Sequence, residues 1–259
     1  MKQGFRIFDT HTHIGEARHT GRRYSAEELL HDMDRCGIDR SLVIPFPVVE
    51  SNREAHELIG KAVLAHPDRL SGSACINPFI PEADFRDEVR RCREVYGFCS
   101  LKLQPQYHGL NPFSERSNFF FEAALENEMA VVCHTGSGLP FSLPSLLMMP
   151  ARRYPALTIV VAHCGGGMFL HDAMLAVSFC PNVVLELSSL MPHQVLEVMA
   201  HVAPDRLMIG SDLPESAEIE IGKILGLQVP DEQKRWILDG TANHVFLGAQ
   251  HGGEQGAKV

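Results

Sequence analysis

The chain has 259 residues, 45% hydrophobic and 21% charged, which excludes a disordered, collagen-like or coiled-coil protein. At about 150 residues per domain it holds one large domain or two small ones. Its 23 Lys+Arg against 32 Asp+Glu give a net charge of −9, which repels a phosphate backbone and argues against nucleic acid as a partner.

Apolar, β-branched runs recur at intervals of roughly 30 residues. In chain order they are Phe5–Asp9, Ser41–Phe46, Leu70–Ile76, Phe98–Leu103, Ala130–His134, Thr158–His163, Asn182–Leu187 and Arg206–Ser211. Each predicts a strand, and amphipathic segments separate them. Ser25 and Glu28 form a capping-box pattern and Gly37 ends that helix. Phe85, Val89, Cys92 and Tyr96 share one helical face. Helices are also predicted from Ser117, and within Gly167–Phe179, Met191–Val202 and Asp231–Gly240. Eight strands alternating with helices predict a parallel sheet, closed at this length as a distorted, single-domain (β/α)8 TIM-like barrel. The alternative, an open doubly wound sheet, wants a glycine-rich loop after its first strand. Here that position holds His-Thr-His. The barrel is placed at residues 1–247, followed by a flexible tail, 248–259, rich in Gly and Gln.

No apolar run reaches the roughly 18 residues that cross a bilayer, and Met1–Arg6 is too polar for a signal peptide. Seven cysteines without a CxxC pair suit a reducing compartment. A cytoplasmic protein without a membrane partner is expected. A homodimer is compatible with such a barrel.

Chemistry in a barrel gathers where strands end. The runs end in Asp9-Thr10-His11-Thr12-His13, Lys102 and Gln104, His134, His163, Glu186 and Asp212. His11 and His13, two apart in a strand, share a side and can grip one cation. His134 and His163 close apolar runs, where an imidazole needs a polar partner. Asp212 adds an anionic donor. Three or four His with Asp suit a divalent metal, Zn2+ first, in a catalytic site. Lys102 reads as a salt-bridged barrel lysine, a substrate contact or a carbamylated metal bridge, and Glu186 as its ion-pair partner or a substrate contact. Gln104, Tyr107 and His108 are candidate substrate contacts. So are cations in the loops after the first two strands: Arg18, Arg22, Arg23 and Arg53. The apolar stretch Leu139–Pro150 is read as core packing. Four of the fourteen histidines are assigned to the centre, and most others, His56 among them, to solvent.

The ordered motifs DTHTH, LKLQPQYHG, VVCHTG, VVAHCGG, IGSDLP and ILDGTANHVF together resemble the amidohydrolase superfamily. They look most like its amidohydrolase-related branch, which contains metal-dependent hydrolases and decarboxylases of aminocarboxymuconate semialdehyde and resorcylate. The resemblance implies a metal held by His11, His13, His134 and Asp212, with His163 as second ligand or catalytic imidazole. Lys102 stands where binuclear members carry a carbamylated lysine, which mononuclear members lack, so one or two ions are expected. The expected activity is hydrolysis of an ester, lactone or amide in a small molecule, with Asp212 as base and His163 stabilising charge on the substrate oxygen. Non-oxidative decarboxylation of an aromatic or muconate-type acid on the same site is the alternative. A non-catalytic metal-binding or sensing barrel is the third.

Overall fold

In a computed structural model the structure describes residues 1–138 and 140–248. Nine strands form one sheet in the order β2-β1-β3-β4-β5-β6-β7-β8-β9. They are β1 (Phe8–Glu16), β2 (Arg23–Tyr24), β3 (Arg40–Pro45), β4 (Leu70–Ala74), β5 (Ser100–Leu103), β6 (Ala130–His134), β7 (Ile159–Ala162), β8 (Val183–Glu186) and β9 (Leu207–Met208). Eight of them, β1 and β3 to β9, are parallel and curl into the predicted barrel. The two-residue β2 pairs antiparallel with the end of β1 and was not foreseen.

The sheet has no ladder between β9 and β1 among the described residues. Single hydrogen bonds close it: Thr10 N–H and Thr10 Oγ1 donate to the Ile209 carbonyl at 3.0 and 2.7 Å, and Asp212 N–H donates to the His11 carbonyl at 2.7 Å.

Strand alternation divides the core in two. Val131, Cys133, Ile159, Val161, Val183, Leu185 and Leu207 face the helices. Phe8, Leu42, Ile44, Ala130, Val132, Val160, Val184 and Met208 fill the barrel's interior. The helix α11 (Thr241–Leu247) adds Ala242 and Phe246 to that interior, with the Phe246 ring 6.0 Å from that of Phe8. It plugs the end of the barrel opposite the strands' C-termini.

The outer helices bear out the sequence signals. In α1 (Ala26–Cys36) the Ser25–Glu28 capping box forms in both directions and Gly37, at φ +76°, ends the helix left-handed, a conformation glycine adopts without strain. In α3 (Glu82–Tyr96) Phe85, Val89 and Cys92 are buried on the predicted face. The first strand differs most from expectation: it starts at Phe8 rather than Phe5 and runs through the His-Thr-His segment to Glu16. Within the Leu139–Pro150 stretch Leu147 is buried, but Leu146 and Met148 are half-buried and Met149 is exposed, so core packing holds for only part of it. Leu139 itself and residues 249–259 of the tail lie outside the described residues. No described helix is long and apolar enough to cross a membrane.

Candidate metal centre

A break in register decides which way the first histidines face. Phe8 points into the barrel and Ile14 away from it. Strict alternation from Phe8 would send Thr10 and Thr12 inward and His11 and His13 outward. The β1–β3 pairing slips between Asp9 and Thr12, and that bulge shifts the parity by one. His11 and His13 thereby turn toward the axis, where both are buried.

Their outer nitrogens are engaged. His13 Nδ1 lies 3.1 Å from the Ile44 carbonyl and 3.2 Å from that of Pro45. His11 Nδ1 lies 3.3 Å from Glu186 Oε2. Because carbonyl and carboxylate oxygens only accept, both Nδ1 atoms carry the proton and both Nε2 atoms present lone pairs. Those lone pairs converge on a carboxylate: Asp212 Oδ1 is 3.6 Å from His11 Nε2 and 3.5 Å from His13 Nε2. Three acceptors at this spacing repel one another unless a cation lies between them, and Lys102 Nζ, 2.9 Å from His11 Nε2, answers only the first of them. The donor set therefore fits a divalent cation, with the Nδ1 partners orienting the ligands from behind.

His163 and His134 adjoin the trio. The His163 ring stacks on His11 at 4.7 Å and meets His134 edge-on at 4.8 Å. Ser188 Oγ donates to Glu186 Oε2 at 3.0 Å and, its one proton used, accepts from His163 Nδ1 at 2.7 Å. This leaves His163 Nε2 as a lone pair, so the imidazole is an acceptor or ligand. The expected role of stabilising charge on the substrate oxygen needs a proton on that atom and is not supported by the network. His134 Nε2 donates to the Ser137 carbonyl at 3.0 Å, leaving Nδ1 free to ligate.

Electrostatics keep the nitrogens neutral. Burial pushes His11 and His163 well below the ordinary histidine range. Burial first, then the charge of Lys102, brings His134 down to about 4. Backbone strain gathers here too. His163, Cys164, Ser189 and Asp212 have φ between +46° and +66°, and each costs on the order of 1–3 kcal/mol in a side-chain-bearing residue.

Lys102 is fully buried, and its Nζ donates to His11 Nε2 at 2.9 Å. Burial pushes its amine below the ordinary lysine range. The expected Lys102–Glu186 ion pair is not formed. Glu186 instead accepts from His163 N–H at 3.0 Å and from Ser188, and faces His11. It is a support for ligands, buried away from substrate.

A cleft of about 410 Å3 opens above the trio, lined by residues including His13, Arg22, Gln104, Tyr107, His134 and Asp212. Gln104 and Tyr107 thus stand where the sequence put them, and the Gln104 Oε1 has no hydrogen-bond partner. Two predicted contacts lie elsewhere. His108 is buried, with Nδ1 accepting from Gln104 N–H at 3.3 Å and Nε2 3.7 Å from Cys75 Sγ; it shapes the turn after β5. Arg53, in α2 (Asn52–Ala65), pairs with Glu57 and Glu88 outside the barrel because its helix carries it away from the mouth. Of the loop cations, Arg18 pairs with Glu50 and Arg23 with Glu16, and Arg22 alone of the four lines the cleft. Among features the sequence did not reveal, Ser188 and Ser211 are polar supports inside the barrel; a lone serine after an acidic strand end carries no distinguishing signal.

A parallel barrel with three His/Asp donors at the C-terminal mouth has the layout of a TIM-barrel enzyme. The chain belongs to the amidohydrolase family, whose profile matches residues 8–247. No curated protein sequence matches it. Among solved structures, 5-carboxyvanillate decarboxylase from Novosphingobium aromaticivorans, complexed with manganese and 4-hydroxy-3-methoxy-5-nitrobenzoic acid, is similar at a TM-score of 0.79 and 16% identity. That match covers 95% of this chain and 97% of that one. A 4-oxalomesaconate hydratase from Rhodopseudomonas palustris is similar at 0.70 and 16%, over 93% and 96%. A probable 2-pyrone-4,6-dicarboxylic acid hydrolase from Acinetobacter baumannii is similar at 0.69 and 16%, over 93% and 99%. At these identities the likeness carries the fold.

Proposed function

We propose that the protein is a metal-dependent hydrolase that cleaves an ester, lactone or amide bond in a small organic substrate. The observation that carries this reading is Asp212: a carboxylate held 3.5–3.6 Å from two imidazole nitrogens and lining the cleft. His11, His13 and Asp212 would hold the ion, with His134 and His163 beside them. A divalent cation there, Zn2+ or Mn2+, supplies Lewis acidity that makes water a nucleophile near neutral pH and polarises a carbonyl. Asp212 accepts the proton of the attacking water and returns it to the leaving group. His163, its Nε2 unprotonated, would help to hold the ion or accept a proton in relay. Gln104 and Tyr107 contact the substrate from the wall of the cleft.

Decarboxylation of a carboxylated aromatic or muconate-type acid is the second reading. Arg22 favours it, as a guanidinium in the cleft able to hold a carboxylate, and so does the likeness to a decarboxylase. Metal-loaded protein offered a panel of lactones, esters, amides and aromatic acids separates the two. Acid release from a lactone or ester supports hydrolysis, and CO2 from an aromatic acid supports decarboxylation. Turnover of no panel member, with tight binding of one, would favour the sensing barrel.

A further inference from the structure

The metal-centre reading leaves the buried acid Asp9 without a role. Asp9 is 2% exposed at the start of β1, on the seam where the sheet lacks a ladder. Its carboxylate spans that seam. Ser211 N–H donates to Asp9 Oδ1 at 2.9 Å and Ser211 Oγ to Asp9 Oδ2 at 2.5 Å. His11 N–H donates to the same Oδ1 at 3.2 Å. One carboxylate thus ties the backbone of His11 on one side to the residue preceding Asp212 on the other.

The location matters because both neighbours are irregular. Asp9 opens the stretch where the β1 register slips, and Asp212 sits at φ +63°, a conformation that surrounding contacts must enforce. With no ladder to set their spacing, the two halves of the donor trio are held by few bonds: Asp212 N–H to the His11 carbonyl at 2.7 Å, and the contacts of Asp9 and Ser211. Ser211 Oγ also approaches the His11 carbonyl at 3.4 Å. Desolvating a carboxylate here is costly, and its three hydrogen bonds offset only part of that cost: burial leaves Asp9 raised to about 7.

We propose that Asp9 and Ser211 form a clasp that sets the separation of His11 and Asp212, making Asp9 a positioning residue for the metal centre. The inference rests on the metal-centre reading above. Thr10 provides the control, since its Oγ1 bonds the Ile209 carbonyl across the same seam rather than Ser211 or Asp212.

The test compares wild type, Asp9→Asn, Ser211→Ala and Thr10→Val in the full-length chain, with circular dichroism to verify folding. Co2+ is the probe, read by titration and by its visible absorption spectrum, and backbone hydrogen exchange is followed across residues 209–213. The clasp predicts that D9N and S211A weaken Co2+ binding by roughly 10- to 100-fold, change the Co2+ spectrum and speed exchange at the Asp212 amide. T10V should leave affinity and spectrum within about twofold of wild type. Wild-type affinity and spectrum in S211A and D9N, or an equal loss in T10V, would overturn it. If wild type takes up no Co2+, the metal reading falls, and exchange decides: protection of the Asp212 amide unchanged in D9N and S211A overturns the clasp, and its selective loss supports it. Should D9N fail to fold, S211A carries the comparison.

Discussion

Glu186 Oε2 lies 3.3 Å from His11 Nδ1 and, through the same oxygen, 3.0 Å from the backbone N–H of His163. One buried carboxylate therefore orients the His11 imidazole, anchors the backbone of His163 just after β7, and keeps the proton of His11 on the nitrogen facing away from Asp212.

That relationship predicts a metal-binding defect without loss of any ligand. Glu186→Gln keeps the shape but removes the charge beside His11 Nδ1 and turns an amide N–H against a backbone donor, that of Ser188 or of His163, which loosens the support behind both histidines. Mn2+ affinity, measured by electron paramagnetic resonance, should fall roughly 10- to 100-fold. Unchanged affinity would show that His11 is oriented by packing alone.

Asp212→Asn should remove the base while leaving the left-handed turn intact, since asparagine tolerates that conformation. Turnover of whichever substrate the panel reveals should drop by at least about 100-fold, with the melting temperature close to wild type. An active D212N protein would sink the assignment of Asp212 as base.

Arg22 tests the substrate's charge. It pairs with Glu215 at 2.6 Å across the mouth, so a substrate carboxylate would have to compete with Glu215 for it. Arg22→Met should raise KM for carboxylated substrates by roughly 10-fold or more, the scale of a lost charge-assisted hydrogen bond. Neutral lactones or esters should be little affected, and an equal effect on both would argue that Arg22 only closes the loop.

Gly210 is forced by crowding. A Cβ there would lie 2.7 Å from His11 Cβ and 2.8 Å from Glu186 Oε1. Gly210→Ala should cost about 1–3 kcal/mol in urea unfolding and disturb metal binding as well. A neutral substitution would mean that the barrel relaxes around the added methyl.

Away from the mouth, Glu88 sets a pH dependence of stability. His56 is fully buried, contrary to the solvated role expected from sequence, with Cys75 N–H donating to Nε2 and Nδ1 donating to Glu88 Oε1 at 2.8 Å. Burial would raise the Glu88 carboxyl, but the hydrogen bonds from His56 and Arg91 outweigh it and bring it down to about 2. A folded value below the unfolded one means stability that is complete above about 4.5 and is lost as the pH falls toward about 2. The loss should be on the order of 2–3 kcal/mol. Glu88→Gln should be less stable at neutral pH, and its difference from wild type should shrink across that window. A constant difference from pH 7 to 2.5 would show that the network does not depend on the charge.

Strand periodicity, the capping box at Ser25 and polar residues at run ends were readable along the chain because each depends on neighbours a few residues apart. They determined the eight-strand alternation, the barrel and the set of His11, His13, His134, His163 and Asp212 as the polar residues at its mouth. Which side His11 and His13 face was not readable, because the bulge between Asp9 and Thr12 arises from pairing with β3, and a one-residue slip reverses every side chain beyond it. The fate of the cations was likewise tertiary. Arg22 and Arg53 are alike as loop charges in sequence, but β9 brings Glu215 to the first, while α3 brings Glu88 to the second. Only the closed barrel put Glu186 behind His11 rather than beside Lys102, since the inward positions of β8 and β1 meet through the gap that Gly210 leaves open.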